Sequence, residues 1–240
     1  PHTFDMLQGL YVPTAVEKEL AFQAAAPAGM GWSNVEDMAR YALMILNNGA
    51  AENGVQVVSE GALAEILTAN MPINETSGYG LGWYIDDFYG QRQVSHGGNM
   101  LGYSSKLTLL PDADLGIIIL TNRLLADTLT DAVVRYALDL AFDLDHTSDP
   151  IWTSVESLIN DRLHAAVDKS ALVPALADTV TDFVGEYEHD IRIEVIDGQS
   201  VIVTGHAVLP LYTIENGDPN QFLAGGEFGG FRLTFSVDSE

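Results

Sequence analysis

Apolar residues at Val35, Met38, Ala39, Ala42, Leu43, Ile45 and Leu46 recur at helical spacing, and Asn47-Asn48-Gly49 stops the run. Ser33, with Glu36 three residues later, predicts a capping box at its start. A second helix is expected from Ser59, with Leu63, Ile66 and Leu67 on one face, followed by a loop over 70–78. The period then changes. Residues 79–85, 93–98, 103–110 and 115–120 read as four strands joined by short connections, which predicts an antiparallel meander. The segment 115–120 is almost continuously apolar and is expected at the centre of the sheet. A long helix is predicted over about 127–144. Residues 1–28 read as an irregular approach, with turns at Tyr11-Val12-Pro13-Thr14 and from Pro27 to Gly31.

Composition shifts at 145–150, which sets a boundary. Residues 151–180 read as helical but broken by Pro174, and from Phe183 onward the period is two, over 184–188, 191–196, 200–203 and 231–235. Asp197-Gly198 is a hairpin turn. The expected fold is α+β: an antiparallel sheet flanked by helices over 1–146, a helical linker over 147–180, and a small mostly-β domain over 181–240. The chain begins at Pro1 and stops at Glu240 just after an apolar strand, so both ends are expected to continue into a longer protein.

Charge narrows the function classes. The 240 residues carry 34 Asp and Glu against 10 Lys and Arg, a formal net charge of −24. Binding to a nucleic-acid backbone or to an anionic membrane surface needs clustered positive charge, and the basic residues form no cluster. No apolar run approaches the ~20 residues of a membrane span. With 47% hydrophobic residues the chain can bury a substantial core. The absence of cysteine excludes disulfides, thiolate nucleophiles and Cys-ligated zinc. His146, His164, His189 and His206 have no mutual spacing that suggests a metal, and no calcium-loop pattern occurs, so neither metal nor cofactor is expected. The acidity fits an ordinary acidic protein, one adapted to high salt, where self-repulsion is screened, or a cation-binding surface. The compartment stays open between the cytoplasm of a halophile and an extracytoplasmic setting.

The chemistry centres on Ser95-His96-Gly97-Gly98 and the run through Leu101-Gly102-Tyr103-Ser104-Ser105, Leu109-Leu110-Pro111-Asp112 and 115–122. This stretch resembles the third-motif region of the penicillin-recognising serine hydrolases, the group of class C beta-lactamases, DD-peptidases, D-aminopeptidases and related esterases. Residues 27–41 and Tyr79-Gly80-Leu81-Gly82-Trp83 resemble two further blocks of that family, in the same order. The resemblance covers roughly residues 10–145. It implies that His96 takes the place of the basic residue, Gly97 that of the Thr or Ser, and Gly98 that of the glycine. Asn99 would supply a backbone N–H to the oxyanion hole, its side chain needing no role. Gly97 and Tyr103 are expected to border substrate, Tyr103 with packing as an equal alternative. For His96 the alternative is a hydrogen-bonded structural histidine. Trp32, Trp83 and Tyr84 are expected in the core.

The family's Ser-x-x-Lys and Tyr-x-Asn or Tyr-x-Ser motifs precede these blocks. Ala15, Tyr103 and Ala166 stand three positions before Lys18, Lys106 and Lys169, so no lysine completes the nucleophile motif. The resemblance therefore implies the C-terminal half of an enzyme acting on a small peptide, amide or ester through an acyl-enzyme. The expected partner is a missing N-terminal segment carrying both motifs. A catalytically silent homologue, serving binding or assembly, is the alternative. Phe183 to His189 resembles the small β module appended to some members. If the acidity reflects salt adaptation, the melting temperature will rise steeply with KCl; a flat dependence contradicts it.

Overall fold

The computed structural model describes residues 1–5, 10–145, 153–155, 157, 172–187, 191–204, 207–214, 217–225 and 231–235. The chain divides into two compact units: Gly31–Thr153, and Pro1–Met30 together with Ser154–Glu240. The fold is α+β, with antiparallel pairing throughout both larger sheets.

The N-terminal residues form a hairpin rather than an irregular approach. Strand β1 (His2–Asp5) pairs with β2 (Leu10–Pro13), placing Phe4 opposite Tyr11 with ring centroids 5.3 Å apart. Such aromatic cross-strand pairs stabilise a ladder that the short segments do not advertise individually. A 3₁₀ stretch, Val16–Ala25, runs into one α turn, α1 (Ala26–Gly29).

The unit Gly31–Thr153 is built in three layers. Helix α2 (Val35–Leu46) starts one residue later than expected: Asn34, not Ser33, is the cap, and its side chain accepts from the Asp37 N–H. Asn is as good a cap as Ser, and its longer side chain also donates to Asp37. Helix α3 (Glu60–Ile66) is capped by Ser59 as the sequence predicts. The sheet follows in chain order: β3 (Met71–Pro72), β4 (Gly78–Tyr79), β5 (Tyr84–Phe88), β6 (Gln91–Met100), β7 (Tyr103–Leu110) and β8 (Leu115–Thr121). Helix α4 (Asp127–Ala141) closes the unit.

Leu109 and Leu110 show the layering directly, since neighbours on a strand point to opposite faces. Both are fully buried. Leu109 packs with Ala42, Ile45, Leu63 and Leu67 of the α2–α3 side, and Leu110 with Val134 and Leu138 of α4. The same geometry corrects the placement of β8. It is the last strand of the six, paired to β7 alone among the described residues. Its apolar run arises because Ile118 meets the α2 cluster while Ile117 and Ile119 meet the α4 cluster. A strand covered on both faces reads as continuous whether or not it is central.

The segment 79–85 is not one strand. It breaks between β4 and β5, where Gly82 has φ +88° and a Cβ on Gly80 would lie 2.6 Å from the Ile66 carbonyl oxygen. The chain therefore bends tightly against the end of α3, and β5 starts late.

In the other unit, β9 (Leu172–Pro174) is followed by β10 (Gly185–Tyr187), β11 (Ile191–Ile196), β12 (Gln199–Thr204), β13 (Ala207–Ile214), β14 (Gln221–Ala224) and β15 (Phe231–Thr234). Residues 158–171 of the expected helical linker lie outside the described residues, but 172–174 is strand, as the β-branched Val173 and the terminal Pro174 favour. Asp197 and Gly198, both at positive φ, turn β11 into β12. Strand β13 carries no strand signal in the sequence because Pro210 interrupts it. It pairs with β12 up to Pro210 and then with β14 and β9, curling the sheet. Phe183, Phe222 and Phe235 stack beneath it around Ile193, Ile202 and Leu211.

Helix α4 is fastened to the sheet by the ion pair of its Asp131 with Lys106 of β7, 2.8 Å apart, and by Arg135. Within the helix, the Arg135 Nε lies 2.7 Å from Oδ1 of Asp139, which is fully buried. The same guanidinium covers the Phe88 and Tyr89 rings at 5.0 and 5.1 Å and donates to the Tyr89 hydroxyl. Removing a partner from a buried ion pair costs about 3–5 kcal/mol. The Arg135→Met variant is expected to lose that much in denaturant unfolding, and a loss below about 1 kcal/mol contradicts the role.

Candidate active site

The residues singled out in the sequence lie on β6, and their exposure follows from unequal strand lengths. Strand β5 pairs with β6 only as far as Tyr84 opposite Ser95. Strand β7 continues alongside to Met100 opposite Tyr103. Among the described residues, 96–100 thus pair with a strand on one side only.

The direction of the backbone groups follows from the two hairpins. A two-residue loop, Tyr89-Gly90, joins Phe88 to Gln91, and the residues flanking such a loop exchange both hydrogen bonds. Alternation then directs Gln91, Gln93 and Ser95 toward β5, and Gly97 and Asn99 the same way, beyond its end. The loop Leu101-Gly102 gives the same parity from the other side: Met100, Gly98 and His96 bond to β7. Consistently, the Ser104 N–H opposite Asn99 turns away to Thr121 Oγ1 at 3.2 Å. The N–H and C=O of Gly97 and Asn99 therefore line a strand edge that no described strand pairs.

The glycines keep this edge bare. A Cβ on Gly98 would make ordinary contact, 3.4 Å from Ser105 Oγ, and one on Gly97 would sit 3.2 Å from the Ser105 carbonyl oxygen. Packing within the sheet thus demands a glycine weakly at 97 and not at 98. What their lack of side chains provides is close approach from outside.

His96 is exposed and sits among tyrosines. Its Nε2 lies 3.2 Å from the Tyr79 hydroxyl, and its ring is 5.7 Å from that of Tyr84. Tyr79, within the block Tyr79-Gly80-Leu81-Gly82-Trp83, is thus a neighbour of the candidate site that the sequence leaves unassigned. Trp83 is in the core, as expected, but Trp32 and Tyr84 are 61% and 44% exposed. Trp32 lies ahead of the α2 cap, and its ring meets Tyr103 edge-on at 5.3 Å. Tyr103 therefore packs, against a partner that is itself in solvent.

Asn99 departs most from expectation, because its side chain is fully engaged. Nδ2 donates to both carboxylate oxygens of Asp127 at 2.9 Å. Oδ1 accepts from the Leu125 N–H at 3.2 Å and from the Ser104 hydroxyl. Asp127 lies 28 positions from Asn99, and no local pattern links them.

No group of three or more His, Asp or Glu among the described residues is placed to hold a metal ion. His146, His164, His189, His206 and Lys169 lie outside the described residues. No helix among the described residues is long and apolar enough to cross a membrane.

This open-edged strand with its His-Gly-Gly run, between helices on both faces, falls within residues 5–141, which match the family model described as Beta-lactamase. The chain belongs to the Beta-lactamase family. Its fold is accordingly that of a serine hydrolase. No curated protein matches it. Among solved structures, the octameric penicillin-binding protein homologue from Pyrococcus abyssi is 18% identical, with a TM-score of 0.40 over 86% of this chain and 44% of its own. SurE is 20% identical, with a TM-score of 0.35 over 80% of this chain and 42% of its own. SurE with D-Leu is 18% identical, with a TM-score of 0.36 over 77% and 42%. The chain thus spans less than half the length of the structures it matches.

A hollow of this Beta-lactamase-family unit lies elsewhere. A cavity of about 500 Å³ is lined by Asn74, Glu75, Asp86, Asp87, Arg92 and Asp112, toward the Tyr89-Gly90 end of the β5–β6 hairpin, away from His96. Burial there raises the Asp86 carboxyl above its ordinary range, and nearby Lys106 offsets this only in part. A carboxyl whose folded-state pKa lies above its unfolded value opposes folding once ionised. The Asp86→Asn variant should therefore melt higher at neutral pH. Its advantage should shrink as pH falls through the folded-state pKa; an equal or lower melting temperature at neutral pH contradicts this.

Proposed function

We propose that β6 is the substrate-docking edge of a serine hydrolase acting on amide or ester bonds through an acyl-enzyme. The observation that carries this is the unpaired edge at Gly97 and Asn99, beside His96. An extended substrate can add to such an edge by main-chain hydrogen bonds. The Asn99 N–H faces outward where a carbonyl oxygen would lie. When a serine oxygen forms its bond to the carbonyl carbon, the C=O π pair moves to oxygen as an oxyanion, and the N–H stabilises that charge. Collapse expels the protonated amine or alcohol and leaves the acyl ester, which water then hydrolyses.

The nucleophile and its base are not assigned to this chain, since none of its lysines completes Ser-x-x-Lys. They fall to an N-terminal segment carrying that motif and Tyr-x-Asn or Tyr-x-Ser. His96, in contact with the Tyr79 hydroxyl, would act as a proton donor or acceptor at the leaving group or the serine. Gly97 and Gly98 admit the substrate. Tyr103 borders the site through its packing with Trp32. Residues 181–240 serve as an accessory module.

The missing nucleophile motif equally supports the other reading, a silent homologue that binds a peptide on the same edge. Sequence upstream of Pro1 in the full-length protein separates the two. In that protein, His96→Ala should lower kcat by about 100-fold or more on para-nitrophenyl esters or D-amino-acid amides. Full retention of hydrolysis removes His96 from the mechanism.

A further inference from the structure

We infer that Asp127 and Ser104 are positioning residues that lock Asn99, and with it the outward N–H of the β6 edge, in the orientation an oxyanion requires. This rests on the reading of β6 as the docking edge. The difficulty it resolves is mechanical. Among the described residues, 96–100 have no strand partner on the proposed docking side. A strand end held on one side only twists and frays, whereas an oxyanion donor acts through being fixed before charge develops.

The Asn99 side chain supplies the second hold, at right angles to the missing one. Its amide orientation is set by chemistry: Nδ2 faces two carboxylate oxygens, and Oδ1 faces a backbone N–H and a hydroxyl. Reversal would set oxygen against oxygen on one side and donor against donor on the other. The bonds to Asp127 are charge-assisted and reach both of its oxygens. Asp127 stands in the first turn of α4, where the helix end favours an anion. A carboxylate this close to a developing oxyanion would oppose it by charge. Positioning accounts for its presence; electrostatics does not.

Ser104 completes the lock from β7, directly opposite Asn99 in register and 2% exposed. Its single hydroxyl proton is shared between Asn99 Oδ1 and the Arg123 carbonyl, 2.9 Å away, and its oxygen accepts from the Ala126 N–H at 3.0 Å. Ala126 is the cap position of α4, where no side chain of the helix's own provides a cap. The strand thus caps the helix, while the helix clamps the strand. Between them Leu125 is held at φ +58°, a conformation that a bulky residue rarely adopts, with its N–H on Asn99 Oδ1. Such a strained link persists only where its surroundings over-determine it.

The test uses the full-length protein with a para-nitrophenyl ester, reading kcat and KM separately, together with hydrogen exchange at the Leu125 and Ala126 amides. Asp127→Ala is expected to lower kcat about 10- to 100-fold with KM nearly unchanged. Ser104→Ala should act in the same direction. Asn99→Asp sets two carboxylates face to face. Its kcat should fall at pH 8 and recover as pH drops and the pair takes up a proton, a profile that general loss of stability would not produce. Exchanging the groups in Asn99→Asp with Asp127→Asn should restore kcat to within about threefold. Wild-type kcat in Asp127→Ala, or an exchanged pair that regains its melting temperature but not its kcat, overturns the assignment. A parent protein with no hydrolysis counts against the hydrolase reading instead. The clamp then stands or falls on exchange: Leu125 and Ala126 amides at least about tenfold faster in Asp127→Ala support it, and unchanged rates overturn it.

Discussion

The unit Gly31–Thr153 depends on one mismatch of length: β6 and β7 continue where β5 has stopped. Backbone donors and acceptors must be satisfied by protein, water or ligand. At Gly97 and Asn99 no described strand takes them up on the β5 side, and the proposed function gives them to substrate. Much of the surrounding structure can be read as the means of keeping this edge both open and still. The Gly80–Gly82 bend delays β5, so the edge is exposed. The two glycines after His96 leave it clear. Strand β7 holds it from one side, and α4 holds it through Asn99 from another.

The three layers serve this arrangement. Leu109 and Leu110 tie β7 into both helical faces at once, so the strand next to the edge is the one most firmly set in the core. Helix α4 is fastened at two levels, by Ser104 and Asn99 at its first turn and by Arg135 over the Phe88–Tyr89 turn further along. Its N-terminus is consequently a fixed point against which a strand end can be braced. Open edges invite unwanted pairing. An edge this short, bordered by His96 and Tyr79, offers room for a peptide segment rather than for a whole strand.

The sequence made much of this legible, for identifiable reasons. The meander and α4 follow from period and turn chemistry, as at 111–114, and the β11–β12 hairpin from Asp197-Gly198. The proposed role of His96 rests on the company it keeps in three ordered blocks, since a lone His-Gly-Gly says little. What escaped was non-local. The apolar run of β8 reports two covered faces, which a central strand and a helix-sandwiched edge strand share. The break in 79–85 depends on carbonyls of α3 and its exit crowding Gly80, which periodicity cannot register. The Asn99–Asp127 contact joins residues 28 positions apart, and a strand-end Asn with a helix-start Asp carries no pattern of its own.

The central claim is that the Asn99 N–H receives the oxyanion on an otherwise bare strand edge. It is tested most directly by a crystal structure of the full-length protein after reaction with a para-nitrophenyl phosphonate, whose phosphoryl oxygen stands in for the oxyanion. That oxygen is predicted about 2.7–3.1 Å from the Asn99 nitrogen, with residues 96–100 unshifted. A phosphoryl oxygen bound elsewhere, or an Asn99 N–H already paired within the protein, would contradict the account.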